Sequence, residues 1–339
     1  MEHTYTDIFN AAENITESGH AKSLLHALLQ NRDSPWETSI LTPLHSLEAP
    51  TLGRTAAVFL IFTVLVKLFS EVFTGKKAAH TAQYVLHCLF AVTFLLQFYP
   101  TLETVAVYMR DVLSFLGILF PTLGTILASG GNVATATTSG IGQSLFLSVA
   151  QLLIQSILPS VFTFFCGMAL LDAFFGDGRF LQLSSALKNI FFTAFAVLLS
   201  IFFIVMRTQN IAAESGDAAS AGALRLLVAK AVPIVGGTIG DALRFVGAGL
   251  IRVKSAVGTA AVVFLLGMYL PVFLHLFGQG ILLSLFQFLC GFFSISEQKE
   301  VYTHMKYATD FLLAVYSSVF VIGMINIGTF MQTVPTLAI

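Results

Sequence analysis

Charge is what this sequence has least of. Lys, Arg, Asp and Glu together make up 10% of its 339 residues, against about 25% in an ordinary soluble domain. A surface so poor in charge is not solvated by water, so a soluble globule is excluded. The net charge of −1 removes any electrostatic basis for nucleic-acid binding. Cysteine is scarce too. Cys88, Cys166 and Cys290 lie far apart inside apolar runs with no CxxC pair, so no disulfide framework or thiolate metal site is expected. The chain has no HExxH, no GxSxG and no Walker lysine pattern. It reads as a non-enzyme with no cofactor and no metal. Tryptophan occurs once, at Trp36.

What is present is apolar length. Hydrophobic residues make up 56% of the chain, 33 residues are Phe, and the mean hydropathy is +0.85. Several runs reach the roughly 18–20 apolar residues that cross a bilayer, and they are continuous, as in AAVFLIFTVLVKLF, rather than alternating like barrel strands. The fold class is therefore all-α, a polytopic helical membrane protein. Residues 1–50 form a polar, mostly acidic segment without a basic start or apolar leader stretch, expected outside the cytoplasm. Residues 51–339 form the transmembrane domain.

Proline and glycine punctuate this domain. Spans are expected over 54–73, 81–99 (stopping at Pro100), 189–206, 256–276, 281–293 and 308–327, and 141–175 is long enough for two short spans around Pro159. That makes about 7–8 spans. Residues 208–223, TQNIAAESGDAASAGA, look like a linker. Two stretches, DVLSFLGILFPTLGTILASGG and KAVPIVGGTIGDAL, look like helical hairpins broken in the membrane. Proline removes an amide donor and clashes with the preceding turn. Freed carbonyls in lipid cost several kcal/mol each unless protein or a water-filled cavity satisfies them. Pro121, Gly124, Pro233, Gly236, Gly237, Gly240 and Asp241 are accordingly the candidate lining of a passage or hairpin. Gly236 and Gly240 also form a GxxxG pair suited to close helix packing. Asp241 and Arg244, three residues apart, form a possible ion pair. Gln151 and Gln155 lie one helical turn apart and make a polar stripe suited to interhelical contact. Among charges near spans, Lys67 snorkels towards a membrane face and Asp172 lies at a span end.

Pro121 and Pro159 are 38 residues apart, as are Pro233 and Pro271, and FFGDG at 174–178 echoes FFSIS at 292–296. This points to two repeats, 111–207 and 221–329. Three crossings in each would make them inverted, an arrangement common in transporters. The same topology puts Lys306 on the cytoplasmic side and Lys188 outside.

The segment AKAVPIVGGTIGDALRFVGAGLIRVKSAVG, with its proline, double glycine, GDA turn and basic entry to a span, resembles the stage III sporulation protein AE family. SFLGILFPTLGTILASGGNVATA and ALKNIFFTAFAVLLSIFF resemble the family's upstream helix–proline segment and its following span. Members generally begin with a cleavable signal peptide, which is not seen here. The resemblance implies a role in sporulation, within the multi-protein channel that joins mother cell and engulfed forespore. It implies a multi-pass location in the mother-cell-derived outer forespore membrane. It also implies partners among other stage III sporulation proteins, including an assembly ATPase and ring-forming proteins, and a permease- or channel-like character. The alternatives are a non-transporting scaffold that anchors those partners, or a stand-alone small-solute transporter.

Overall fold

A computed structural model describes residues 49–72, 77–175, 178–231 and 236–333. The helices are α1 (Ala49–Val72), α2 (Lys77–Ser129), α3 (Val133–Leu152), α4 (Leu158–Phe175), α5 (Arg179–Ala231), α6 (Gly236–Phe292) and α7 (Ser296–Gln332). A π-helical turn, Leu153–Ile157, joins α3 to α4 without a break. Among the described residues no strand occurs. Five helical stretches are long and apolar enough to cross a membrane: Val85–Ser129, Val133–Phe175, Phe180–Val205, Ala248–Phe292 and Gln298–Gln332. Thr55–Leu68 is a shorter apolar helix. The helical membrane class is thus as expected.

The division into spans differs. α2 runs unbroken through Pro100 and Pro121, and α6 through Pro271. The span expected to stop at Pro100 continues through it, those expected over 256–276 and 281–293 are one helix, and 141–175 belongs to one apolar rod rather than two short spans. At about 1.5 Å per residue the 53 residues of α2 extend about 80 Å. The linker expected at 208–223 is part of α5, because its alanines are strong helix formers.

Left-handed turns, not prolines, end α2 and α6. At the close of α2, Gly131 takes a φ of 89°, the Asn132 amide donates to the Leu127 carbonyl and the Gly131 amide to Ala128. This left-handed cap satisfies the last carbonyls, and glycine adopts it without Cβ strain. α6 closes in the same manner at Ser294, with the Ile295 amide donating to the Cys290 carbonyl.

Side-chain contacts fix the directions of the helices. Thr55 meets Gln97, Phe59 meets Phe94 and Phe62 meets Phe90, so α1 and α2 are antiparallel. Phe286 stacks on Tyr302 while Tyr269 stacks on Phe320, so α6 and α7 are antiparallel. Lys188 meets Asp310 and, further along both helices, Phe202 faces Ile322, so α5 and α7 are parallel. Phe94 touches Tyr302 and Leu116 approaches Gly323, so α2 also runs with α7. The bundle is six up-and-down passes: α1, α2, α3–α4, α5, α6 and α7.

α7 is the central pillar. Its Gly323 lies where Leu265 of α6 and Leu116 of α2 both come close. Around fully buried Tyr302 gather Phe59, Phe90, Phe94 and Phe286, with ring centroids 5.4–5.8 Å away, the spacing at which edge and offset stacking is favourable. The outward face of α5 is unpacked, with Ile190, Val197, Ile201 and Ile204 exposed. In a membrane that face meets acyl chains.

The echoing segments pair the hairpin α4–α5 with α6–α7. Because α5 and α7 run the same way, these hairpins are parallel. Lys188 and Lys306 therefore lie at one level, both within 3.5 Å of the Asp310 carboxylate, and not on opposite sides of a membrane.

Candidate functional site

Polar groups in this bundle collect in three places. The first lies on α3. Thr137, Ser144, Ser148, Gln151 and Gln155 are all exposed at helical spacings of seven, four, three and four residues, so they share one face, with exposed Ile141 in the widest gap. From Thr137 to Gln155 the stripe is about 27 Å long, close to the thickness of a bilayer's hydrocarbon core. Its hydroxyls are satisfied on their own helix: Thr137 donates to Val133, Ser144 to Ile141 and Ser148 to Ser144, at 2.8–3.1 Å. No carbonyl at i−3 or i−4 is bonded in this manner by either glutamine. Their amides instead face a cleft of about 320 Å³ that they share with Arg110, Asp111 and Ser114 of α2. Arg110 is exposed there, and Asp111 is buried to 1% exposure. An acid, a base and two amides thus line one cleft in an otherwise apolar surface.

The local backbone is set by Pro159. Its ring would collide with the carbonyl four residues earlier, that of Gln155. The chain widens into the π turn Leu153–Ile157, where the Leu158 amide donates to the Leu153 carbonyl. Each such turn adds a residue to the helix, so it re-aims everything before it. Here it sets how Gln151 and Gln155 face α2.

The second place is the end of the bundle where α2 turns into α3. α3 begins with free amides and no capping side chain of its own. Asp217 of α5 supplies the cap from outside, accepting from the Ala134 and Thr135 amides at 2.8 Å each. A carboxylate is favoured there by both hydrogen bonding and the helix dipole. Beside it a cavity of about 140 Å³ is lined by Thr135, Ser139, Gln143, Arg207 and Asn326. The buried Lys254 of α6 closes this end by donating to the Thr333 carbonyl at the end of α7.

The third place is at the opposite end, where α4 turns into α5. Asp172 and His304 are fully buried and joined at 2.6 Å, and Asp172 also accepts from the Phe180 amide at 3.1 Å. One carboxylate thus ties α4 to α7 and caps α5. The Nδ1 of His304, the Oγ of Ser184 and the Nε2 of Gln298 lie buried without hydrogen-bond partners. This is a buried polar knot that ties α4, α5 and α7 together.

The residues expected to line a passage are placed as follows. Pro121 and Gly124 lie in the last turns of α2, before its glycine turn. Pro121 is exposed, and nothing within 4 Å faces Gly124. Pro233 lies outside the described residues. Gly236, Gly237, Gly240, Asp241 and Arg244 belong to the opening turns of α6, with their side chains outside the described set. The α2–α3 hairpin exists, but its turn is at residues 130–132, nine residues past Pro121. Gln151 and Gln155 were legible as a stripe. Arg110, Asp111, Asp217 and Arg207 were missed. An acidic residue at Asp217, with no base in its alanine-rich neighbourhood, was the available signal. The three cysteines are separate free thiols.

Fold and site together define a multi-pass helical membrane protein whose apolar exterior is interrupted by a polar stripe and cleft. The family profile of stage III sporulation protein AE matches residues 49–333, nearly the whole described bundle, and the chain belongs to that family. The stage III sporulation protein AE of Bacillus subtilis (strain 168) is 23% identical to it over 212 residues, 62% of this chain and 53% of that protein. The chain spans about half the length of this curated relative. No solved structure matches it.

Proposed function

We propose that this protein is the permease- or channel-like membrane component of the complex that joins mother cell and forespore. In this reading it lies in the mother-cell-derived outer forespore membrane, beside an assembly ATPase and ring-forming proteins. The supporting observation is the α3 stripe from Thr137 to Gln155 with the Arg110–Asp111 cleft. Such a face is costly against acyl chains and suits the wall of a water-filled path. The path is completed by a neighbouring subunit. ATP use falls to a partner, since the chain carries no nucleotide motif.

The test is cysteine scanning. Ser144, Ser148, Gln151 and Gln155 are replaced singly by Cys in a background lacking Cys88, Cys166 and Cys290, and sporulating cells are treated with a membrane-impermeant maleimide. Labelling along the whole stripe is expected. Uniform protection would overturn the passage and leave a scaffold whose α3 face packs dry against a partner helix.

A further inference from the structure

Between α3, α5 and α7 runs a crevice whose chemistry changes along its length. Towards the middle of the bundle it is an apolar slot of about 230 Å³, walled by Phe146, Leu198, Phe202 and Ile322. Phe202 and Ile322 continue into a narrower stretch that reaches Arg207, Asn326 and Thr329. Those three in turn border the polar cavity of about 140 Å³ at the α2–α3 end. The three compartments adjoin at these shared lining residues, apolar at one end of the row and polar at the other.

Arg207 stands at the junction. It lies two residues beyond the lipid-facing apolar stretch Phe180–Val205, the depth at which a bilayer's phosphates begin. No carboxylate lines any of the three compartments, and among the described residues no carboxylate pairs with the exposed Arg207. Past it the wall carries uncharged donors and acceptors. Thr135 is 2% exposed and its hydroxyl has no hydrogen-bond partner. Gln143 and Asn326 are nearly as buried.

We propose that this groove is a binding site for an anionic phospholipid of the surrounding bilayer. One acyl chain lies in the slot against Leu198 and Phe202. The phosphate sits on the Arg207 guanidinium, whose planar fork suits bidentate contact with phosphate oxygens. The headgroup hydroxyls reach Thr135, Gln143 and Asn326. A free phosphate ion would use Arg207 alone and leave the apolar slot without an occupant, so a membrane lipid fits better than a soluble anion. The Arg207 charge favours an anionic headgroup over a zwitterionic one.

The experiment is native mass spectrometry of the full chain in detergent, titrated with phosphatidylglycerol, phosphatidylcholine or glycerol 3-phosphate. Phosphatidylglycerol is expected to bind in preference to the other two. Arg207→Ala is expected to weaken it about tenfold, the size of one charged hydrogen-bonding contact. Leu198→Trp, which fills the slot from an exposed position, is expected to weaken it too. Arg252→Ala, an exposed arginine on α6, is expected to change nothing. Undiminished lipid retention by Arg207→Ala overturns the proposal. So does binding of phosphatidylcholine or glycerol 3-phosphate equal to that of phosphatidylglycerol.

Discussion

Asp217 shows how much one side chain decides. It accepts two amides of a helix 83 residues away in sequence and is 3% exposed while doing so. Asp217→Ala leaves two buried donors without acceptors, a loss of about 2 kcal/mol, at the upper end for cap removal. Asp217→Asn keeps one acceptor and loses less. Thermal unfolding in detergent is expected to rank wild type, Asn and Ala in that order. Equal midpoints for all three would show that α3 begins without help from α5. The sequence marked Asp217 as an isolated acid but not its target, because a cap supplied by a distant helix leaves no trace at the helix it serves. The glutamine stripe was legible, because helical spacing alone puts Gln151 and Gln155 on one face.

Among elements, the question is what stops a helix. Reading Pro100 as a stop and Pro121 as a break divided α2 into pieces, yet both lie inside one helix, as Pro271 does in α6. Transmembrane helices tolerate proline when nearby groups satisfy the backbone it frees. The Gly130–Gly131 pair was the better stop signal, since a left-handed cap needs a residue that accepts positive φ. Pro159 acts differently, through the π turn that precedes it. Replacing it by alanine removes the ring clash and allows ordinary α-helix over 153–157. Closing the turn rotates α3 by about 100° relative to α4, one residue's share of a 3.6-residue turn. In the Gln151→Cys background, Pro159→Ala is therefore expected to change maleimide labelling sharply. Unaltered labelling would show that the proline does not hold the turn open.

For the whole molecule, direction matters more than span count. The sequence echo between FFGDG and FFSIS falls on the α4–α5 and α6–α7 turns, and its inverted reading assumes an odd number of crossings in each copy. Parallel α5 and α7 place Phe202 beside Ile322. The double variant Phe202→Cys, Ile322→Cys is expected to cross-link with a short bifunctional thiol reagent, whereas Phe180→Cys with Ile322→Cys is not. The reverse pattern would restore the inverted arrangement. Sequence could not settle this, because hydropathy records that a segment is apolar and not which way its neighbours run.

The alternation of the six passes fixes one relation between distant parts of the chain. α1 begins, α2 gives way to α3, and α7 finishes at the same end of the bundle, while the α4–α5 and α6–α7 turns share the other. Ala49 and Thr333 thus lie at one end of the bundle, so a partner that docks on that end meets the start of α1 and the close of α7 together.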